Sequence, residues 1–154
     1  MLGDGGGEIR KMMVTGRSQS PARTEVDVRG ISLTIDEPPE RGGDNAGATP
    51  PETVLGALVG CTCRISHKIA EARGFDIRDM AVSVKATFDR RGVNLEEEVE
   101  IPFSAISMTI DVTADAGDDK IELLKTELRK FCPVSKMLRQ SGTDITEIWN
   151  VHRS

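Results

Sequence analysis

The sequence predicts an α+β fold in which antiparallel sheet is organised around one long helix. Three observations carry that prediction. Pro50 to Gly74 is a helix-compatible run punctuated at both ends. The segments on either side alternate apolar and polar residues at period two, the mark of half-buried strands. The order reads strands, helix, strands, helices, strand, with no internal repeat, an arrangement that segregates sheet from helices.

The central run is PPETVLGALVGCTCRISHKIAEARG. Pro50 and Pro51 suit a first turn, whose N–H groups have no intrahelical partner. Thr49 is placed as an N-cap, with Glu52 three residues on, the spacing of a capping box. Gly74 stands where a C′ glycine closes a helix. From Val54 to Cys63 every face is apolar or small, which predicts burial on all sides. Beyond Cys63 the helix turns amphipathic, with Ile65, Ile69 and Ala72 opposed to Arg64, Lys68, Glu71 and Arg73.

The glycine-rich N-terminus, residues 1–8, is expected to be disordered, and residues 9–154 to form a single domain. Ile9 to Val14 can begin a strand, and the following TGRSQSPARTE reads as a turn. Val26, Val28, Ile31, Leu33 and Ile35 alternate around Arg29-Gly30, which predicts a hairpin. Glu37 to Thr49 is a long Pro-, Gly- and Asn-rich loop that delivers the chain to the helix. After it, Met80, Val82, Val84, Ala86 and Phe88 predict a strand, Arg90 to Asn94 a turn, and Val99 to Thr113 a second strand. A change of phase near Ser104-Ala105 suggests a bulge. Asp118 to Phe131 is an amphipathic helix with Ile121, Leu124, Leu128 and Phe131 inward. Cys132-Pro133 breaks it, Val134 to Gln140 resumes, Gly142 stops it, and Thr143 to Val151 is the last strand.

Composition narrows the function. Four Phe, one Trp and no Tyr leave few large side chains to surround a helix apolar all round, so a second copy of the chain is expected to cover part of it. A net charge of −5 without a basic stripe speaks against nucleic acid as a partner. No apolar run has membrane-spanning length, and no signal-peptide core is seen, so no membrane partner and a cytoplasmic location are expected. Three cysteines are an odd number without a disulfide framework.

Two of those cysteines stand in informative places. Cys61 lies in the apolar half of the helix, where a thiol either fills space or reacts. Cys132, in Phe131-Cys132-Pro133-Val134-Ser135, falls at the start of a new helix, where the dipole and free N–H groups favour a thiolate. The other reading is that Pro133 only breaks the helix and Cys132 packs beneath it. Cys63 and His67 share a helix face at ligand spacing, but His152 is the only other histidine and no second pair follows, so no metal site is expected. An activated thiolate favours a neighbouring cation, for which Arg17, Arg23, Arg29 and Arg41 are candidates. A regular helix separates Glu52 from Cys61 by ~13 Å. Glu52 therefore reaches a thiol only on an antiparallel partner helix.

With these residues in view, the chain resembles the OsmC/Ohr superfamily. Ala48-Thr49-Pro50-Pro51-Glu52-Thr53-Val54-Leu55-Gly56-Ala57-Leu58-Val59-Gly60-Cys61 is similar to the family's P-x-E-L-x-x-A-x-x-G-C helix, and Phe131-Cys132-Pro133-Val134-Ser135 to its second-cysteine motif. The resemblance implies an intertwined homodimer with sheets wrapping two long central helices. It implies a thiol peroxidase acting on small hydrophobic hydroperoxides, with Cys61 as the peroxidatic and Cys132 as the resolving cysteine. No bound cofactor is implied, and an external dithiol of lipoyl type is the expected reductant. In the hydroperoxide-resistance branch a catalytic Glu stands ten residues before the cysteine. Here that position is Pro51 and Glu52 follows it, a pattern closer to the OsmC-like branch. Arg17 is the best match to the family's catalytic arginine and Arg23 the second. A non-enzymatic small-molecule binder on the same fold is the alternative.

Overall fold

The computed structural model describes residues 8–154, so of the stretch 1–8 expected to be disordered, residues 1–7 lie outside the described residues. They gather into two compact units, one ending at Val54 and the other running Leu55–Ser154.

The first unit is a three-stranded antiparallel sheet, β1 (Thr15–Ser18), β2 (Thr24–Val28) and β3 (Ile31–Ile35), in that order. The β2–β3 turn is the expected Arg29-Gly30. Both residues have positive φ, 56° and 80°, the backbone that matches strand twist in a two-residue hairpin. The first strand lies one segment later than the sequence reading placed it. The amides of Gln19 and Ser20 donate to the Arg23 carbonyl. The turn is thus shorter than it reads, and Thr15–Ser18 fold back onto Thr24–Asp27, with Arg17 opposite Glu25. Ile9 to Val14 have no strand partner and form no strand.

The loop after β3 is built on Asp36, which is fully buried. Its carboxylate accepts the amides of Asp44 and Ala46 at 3.1 and 3.0 Å. Those donors, Ala46 first, hold its pKa below the usual carboxylate range against the cost of burial. The backbone passes so close here that a Cβ on Gly43 would lie 1.9 Å from the Glu37 carbonyl oxygen, and one on Gly47 2.1 Å from that of Thr34. Only glycine fits either position.

Helix α1, Pro50–Arg73, has the predicted boundaries. The capping box closes as read: the Thr49 amide donates to Glu52 Oε1 at 3.1 Å and the Glu52 amide to Thr49 Oγ1 at 3.4 Å. At the other end Gly74 is left-handed, φ 74°. Lys120 Nζ donates to the last carbonyls, of Arg73 at 2.8 Å and Gly74 at 3.1 Å.

In the second unit β4 (Asp76–Phe88), β5 (Phe103–Asp115) and β6 (Asp144–Arg153) form a sheet of order β4-β5-β6. β4 and β5 pair antiparallel, with a bulge where Phe88 skips Ser104, as the phase change indicated. β5 starts at Phe103 rather than Val99. Pro102 has no N–H to give a ladder. β6 pairs with β5 parallel, against the expectation of antiparallel sheet throughout. The reason is the connection. Helices α2 (Asp118–Phe131) and α3 (Pro133–Gln140) carry the chain back before β6 begins, and such a crossover returns a strand in the same direction. Leu58, Ile69, Ile106, Met108, Ile110, Val112, Leu124, Leu128 and Ile145 form the core. Phe131, expected inward, is exposed. No helix among the described residues is long and apolar enough to cross a membrane.

Candidate functional site

Cys61 sits halfway along α1, on the flank between the face that packs on the core and the opposite face, and is half-buried. Cys132 is the hinge between two helices. Its amide donates to the Leu128 carbonyl, ending α2, and its carbonyl accepts the Lys136 amide, starting α3. Pro133 occupies the first position of α3, as the sequence motif suggested. The Cys132 side chain is fully buried. Its thiol points at Cys61, and the two sulfurs, 71 residues apart in sequence, are 3.2 Å from each other.

The electrostatics of Cys132 reverse the expectation from its helix-start position. Its pKa is pushed up to about 11, first by burial. The amides of Ser135 and Val134 oppose the rise, while the hydrogen bond to Cys61 and the charge of a Cys61 thiolate add to it. Desolvation and a neighbouring negative charge thus outweigh the helix N-terminus. Two thiols this close do not ionise together. Cys132 is the one that burial holds protonated, and its thiol donates to Cys61.

Other sequence candidates fall elsewhere. Arg17 lies exposed on β1, and Arg29 in the β2–β3 turn. Arg23 is paired with Glu25 at 2.8 Å, and Arg41 with Glu37 at 2.8 Å. Glu52 belongs to the capping box, and its pKa is lowered first by the Thr49 hydrogen bonds and also by the Arg41 charge. Of the four arginines, Arg41 shares with Glu52 the lining of a cavity of about 430 Å³ in the first unit. Cys63 is half-buried and its thiol pKa is raised by burial, while His67 is exposed. Among the described residues no three His, Cys, Asp or Glu side chains cluster in a way that would hold a metal ion.

One face of α1 is open in the single chain. Gly56, Ala57, Gly60, Arg64 and His67 are all exposed. A Cβ built on Gly56 or Gly60 meets nothing within 4 Å. Nothing among the described residues requires those two positions to be glycine.

A family model described as OsmC-like protein matches residues 42–147, a span that includes both cysteines of the contact. The chain belongs to the OsmC-like family. Its α+β architecture is that of OsmC-like structures. The OsmC-like protein from Mycoplasma pneumoniae superposes with a TM-score of 0.78 at 15% identity, covering 93% of this chain and 98% of that one. An organic hydroperoxide resistance protein OsmC from Legionella pneumophila gives 0.64 at 14% identity, covering 94% and 99%. An organic hydroperoxide resistance protein from Elizabethkingia anophelis, with thiocyanate bound, gives 0.64 at 12%, covering 95% and 98%. At these identities the likeness shows the OsmC fold alone. No curated protein matches the sequence.

The pairing and burial of Glu147 were not read from the sequence. Glu147 is on the inward face of β6, yet its side chain is only 3% exposed and it meets both Arg129 and Arg139. The signal was a lone carboxylate among Ile145, Trp149 and Val151 at period two.

Proposed function

We propose that this OsmC-like protein is a cysteine-based peroxidase that reduces organic hydroperoxides. The observation that supports it most is the 3.2 Å approach of the Cys61 and Cys132 sulfurs. In this reading the Cys61 thiolate attacks the distal peroxide oxygen. The O–O bond breaks, the distal OH stays on Cys61 as a sulfenic acid, and the released alkoxide takes a proton from water and leaves as the alcohol. The charge that opposed ionisation of Cys132 is then gone. Cys132 gives up its proton, attacks the Cys61 sulfur and expels water, leaving a Cys61–Cys132 disulfide. An external dithiol restores both thiols by exchange. The relatives named for organic hydroperoxide resistance support the substrate class.

A homodimer completes this reading. A second copy packing on the open face of α1 would bury Ala57 and use the absent side chains of Gly56 and Gly60 for close approach. If the two helices run antiparallel, Glu52 of one copy comes alongside Cys61 of the other, and a basic side chain, Arg17 by family resemblance or Arg41 by its place beside Glu52, serves the thiolate.

The test is a thiol count by mass after one equivalent of cumene hydroperoxide. The expected result is loss of two thiols, a peptide cross-linking Cys61 to Cys132, and no reaction in Cys61→Ser. Consumption of peroxide by Cys61→Ser at the rate of the unmodified chain would defeat the proposal.

A further inference from the structure

The thiol contact leaves a buried charge of the second unit without a role. Glu147 accepts from Arg129 Nε at 2.7 Å, from an Arg139 guanidinium nitrogen at 3.0 Å and from Trp149 Nε1 at 3.2 Å. Taking a carboxylate out of water is costly even when it is paired, and Glu147 stands where an apolar residue would fit the strand pattern. Arg129 is 58% exposed, and among the described residues its side chain hydrogen-bonds to Glu147 alone. Arg139 does more. Its remaining nitrogens donate to the Ile145 carbonyl at 3.1 Å and to the Ser135 hydroxyl at 3.4 Å. Ser135 is buried in the first turn of α3, and its amide faces the Cys132 sulfur. One planar guanidinium therefore ties a carboxylate and a carbonyl of β6 to the residue that lies against Cys132. A rigid fork of donors fixes such a geometry where a lysine would not.

We propose that Arg139, gripped by the buried Glu147, is a positioning residue for Cys132: it locks the first turn of α3 to β6 and so holds the Cys132 thiol against Cys61. The proposal rests on the redox reading above. Its consequence is thermodynamic. When the two thiols are oxidised by oxidised dithiothreitol, two S–H bonds and the reagent's S–S bond break, the Cys61–Cys132 bond forms, and two electrons and two protons pass to the reagent. The more firmly Cys132 is held, the higher its effective concentration at Cys61 and the lower the oxidant ratio that closes the bond.

The experiment equilibrates the full chain, in a Cys63→Ser background, with graded ratios of oxidised to reduced dithiothreitol and reads the disulfide by mass after thiol trapping. Arg139→Gln and Glu147→Gln are each expected to raise the ratio at half-oxidation about tenfold, or about 30 mV for a two-electron couple. The double variant is expected to match the larger single effect, because both act through one link. A ratio within twofold of the parent for Arg139→Gln, or effects that multiply in the double variant, overturns the proposal. Should the charge variants lose their circular dichroism, Ser135→Ala removes only the hydroxyl. It is expected to raise the ratio about threefold, and no change overturns the proposal. A parent that never forms the Cys61–Cys132 bond defeats the redox reading itself. A parent that forms it, with variants that behave alike, defeats the role of Arg139 alone.

Discussion

The two faces of α1 belong to one helix and meet different fates. Leu58, Thr62, Ser66 and Ile69 are closed against the sheet, and Thr62 donates to Met108 Sδ at 3.5 Å. On the other side Gly56, Ala57 and Gly60 stand open. An apolar surface and a tightly packed surface are therefore different things: the first is a property of the residues, the second of what stands opposite. Cys61 lies on the line between them. The residue is shielded enough for its sulfur to meet Cys132 and is itself only half-buried, a combination that a cysteine in the core would not have.

The largest effect should be at that line. Cys61→Ser is expected to lower cumene hydroperoxide consumption roughly a thousandfold, an increase of about 4 kcal/mol in the barrier. Cys132→Ser should instead still consume one equivalent and then stop. Equal and small losses in the two variants, measured by peroxide assay, would erase the distinction between the flank and the hinge.

The closed face comes next. Leu58→Ala is expected to lower unfolding free energy by about 3 kcal/mol, read from the urea midpoint at constant m-value. A cost below about 1 kcal/mol would show that this face is no better packed than the open one.

The hinge cysteine gives a pH signature. The pKa of Cys132, about 11 in the fold, lies above the ordinary thiol value of 9.0. The fold therefore favours the protonated form. Its contribution is fully present below about pH 9 and is lost as pH rises toward 11, an effect of about 2–3 kcal/mol. Urea midpoints of the reduced protein at pH 8 and 10.5 should converge with those of Cys132→Ala only at the higher pH. A parallel fall in both proteins would mean that Cys132 does not carry the slope.

The smallest effect sharpens the open face. Gly60→Ala meets no neighbour within the chain, so a single copy should gain about 1 kcal/mol from helix propensity. Gly60→Leu should be equally harmless to one copy but should break the proposed pairing, seen as a shift to monomer in sedimentation. A dimer that survives Gly60→Leu would place the partner on some other surface.

Much of this was legible in the chain itself. The capping box at Thr49 and Glu52, the left-handed Gly74, the Arg29-Gly30 turn, the bulge at Ser104 and the Cys132-Pro133 break depend on a few consecutive residues. Propensity and hydrogen bonding act at that range. The first strand was misplaced because a Ser-Gln-Ser-Pro-Ala-Arg stretch reads as loop throughout, and nothing local marks where the turn closes.

Contacts across long separations were decided only by the folded chain. The parallel course of β6, the 3.2 Å approach of Cys61 and Cys132, and the burial of Glu147 between two arginines join residues far apart in sequence. Period-two patterning gives a strand its inward face but neither its neighbour nor its direction. A helix start suggests a thiolate, yet burial set the Cys132 pKa, and burial is a property of everything packed around a residue rather than of the residues beside it.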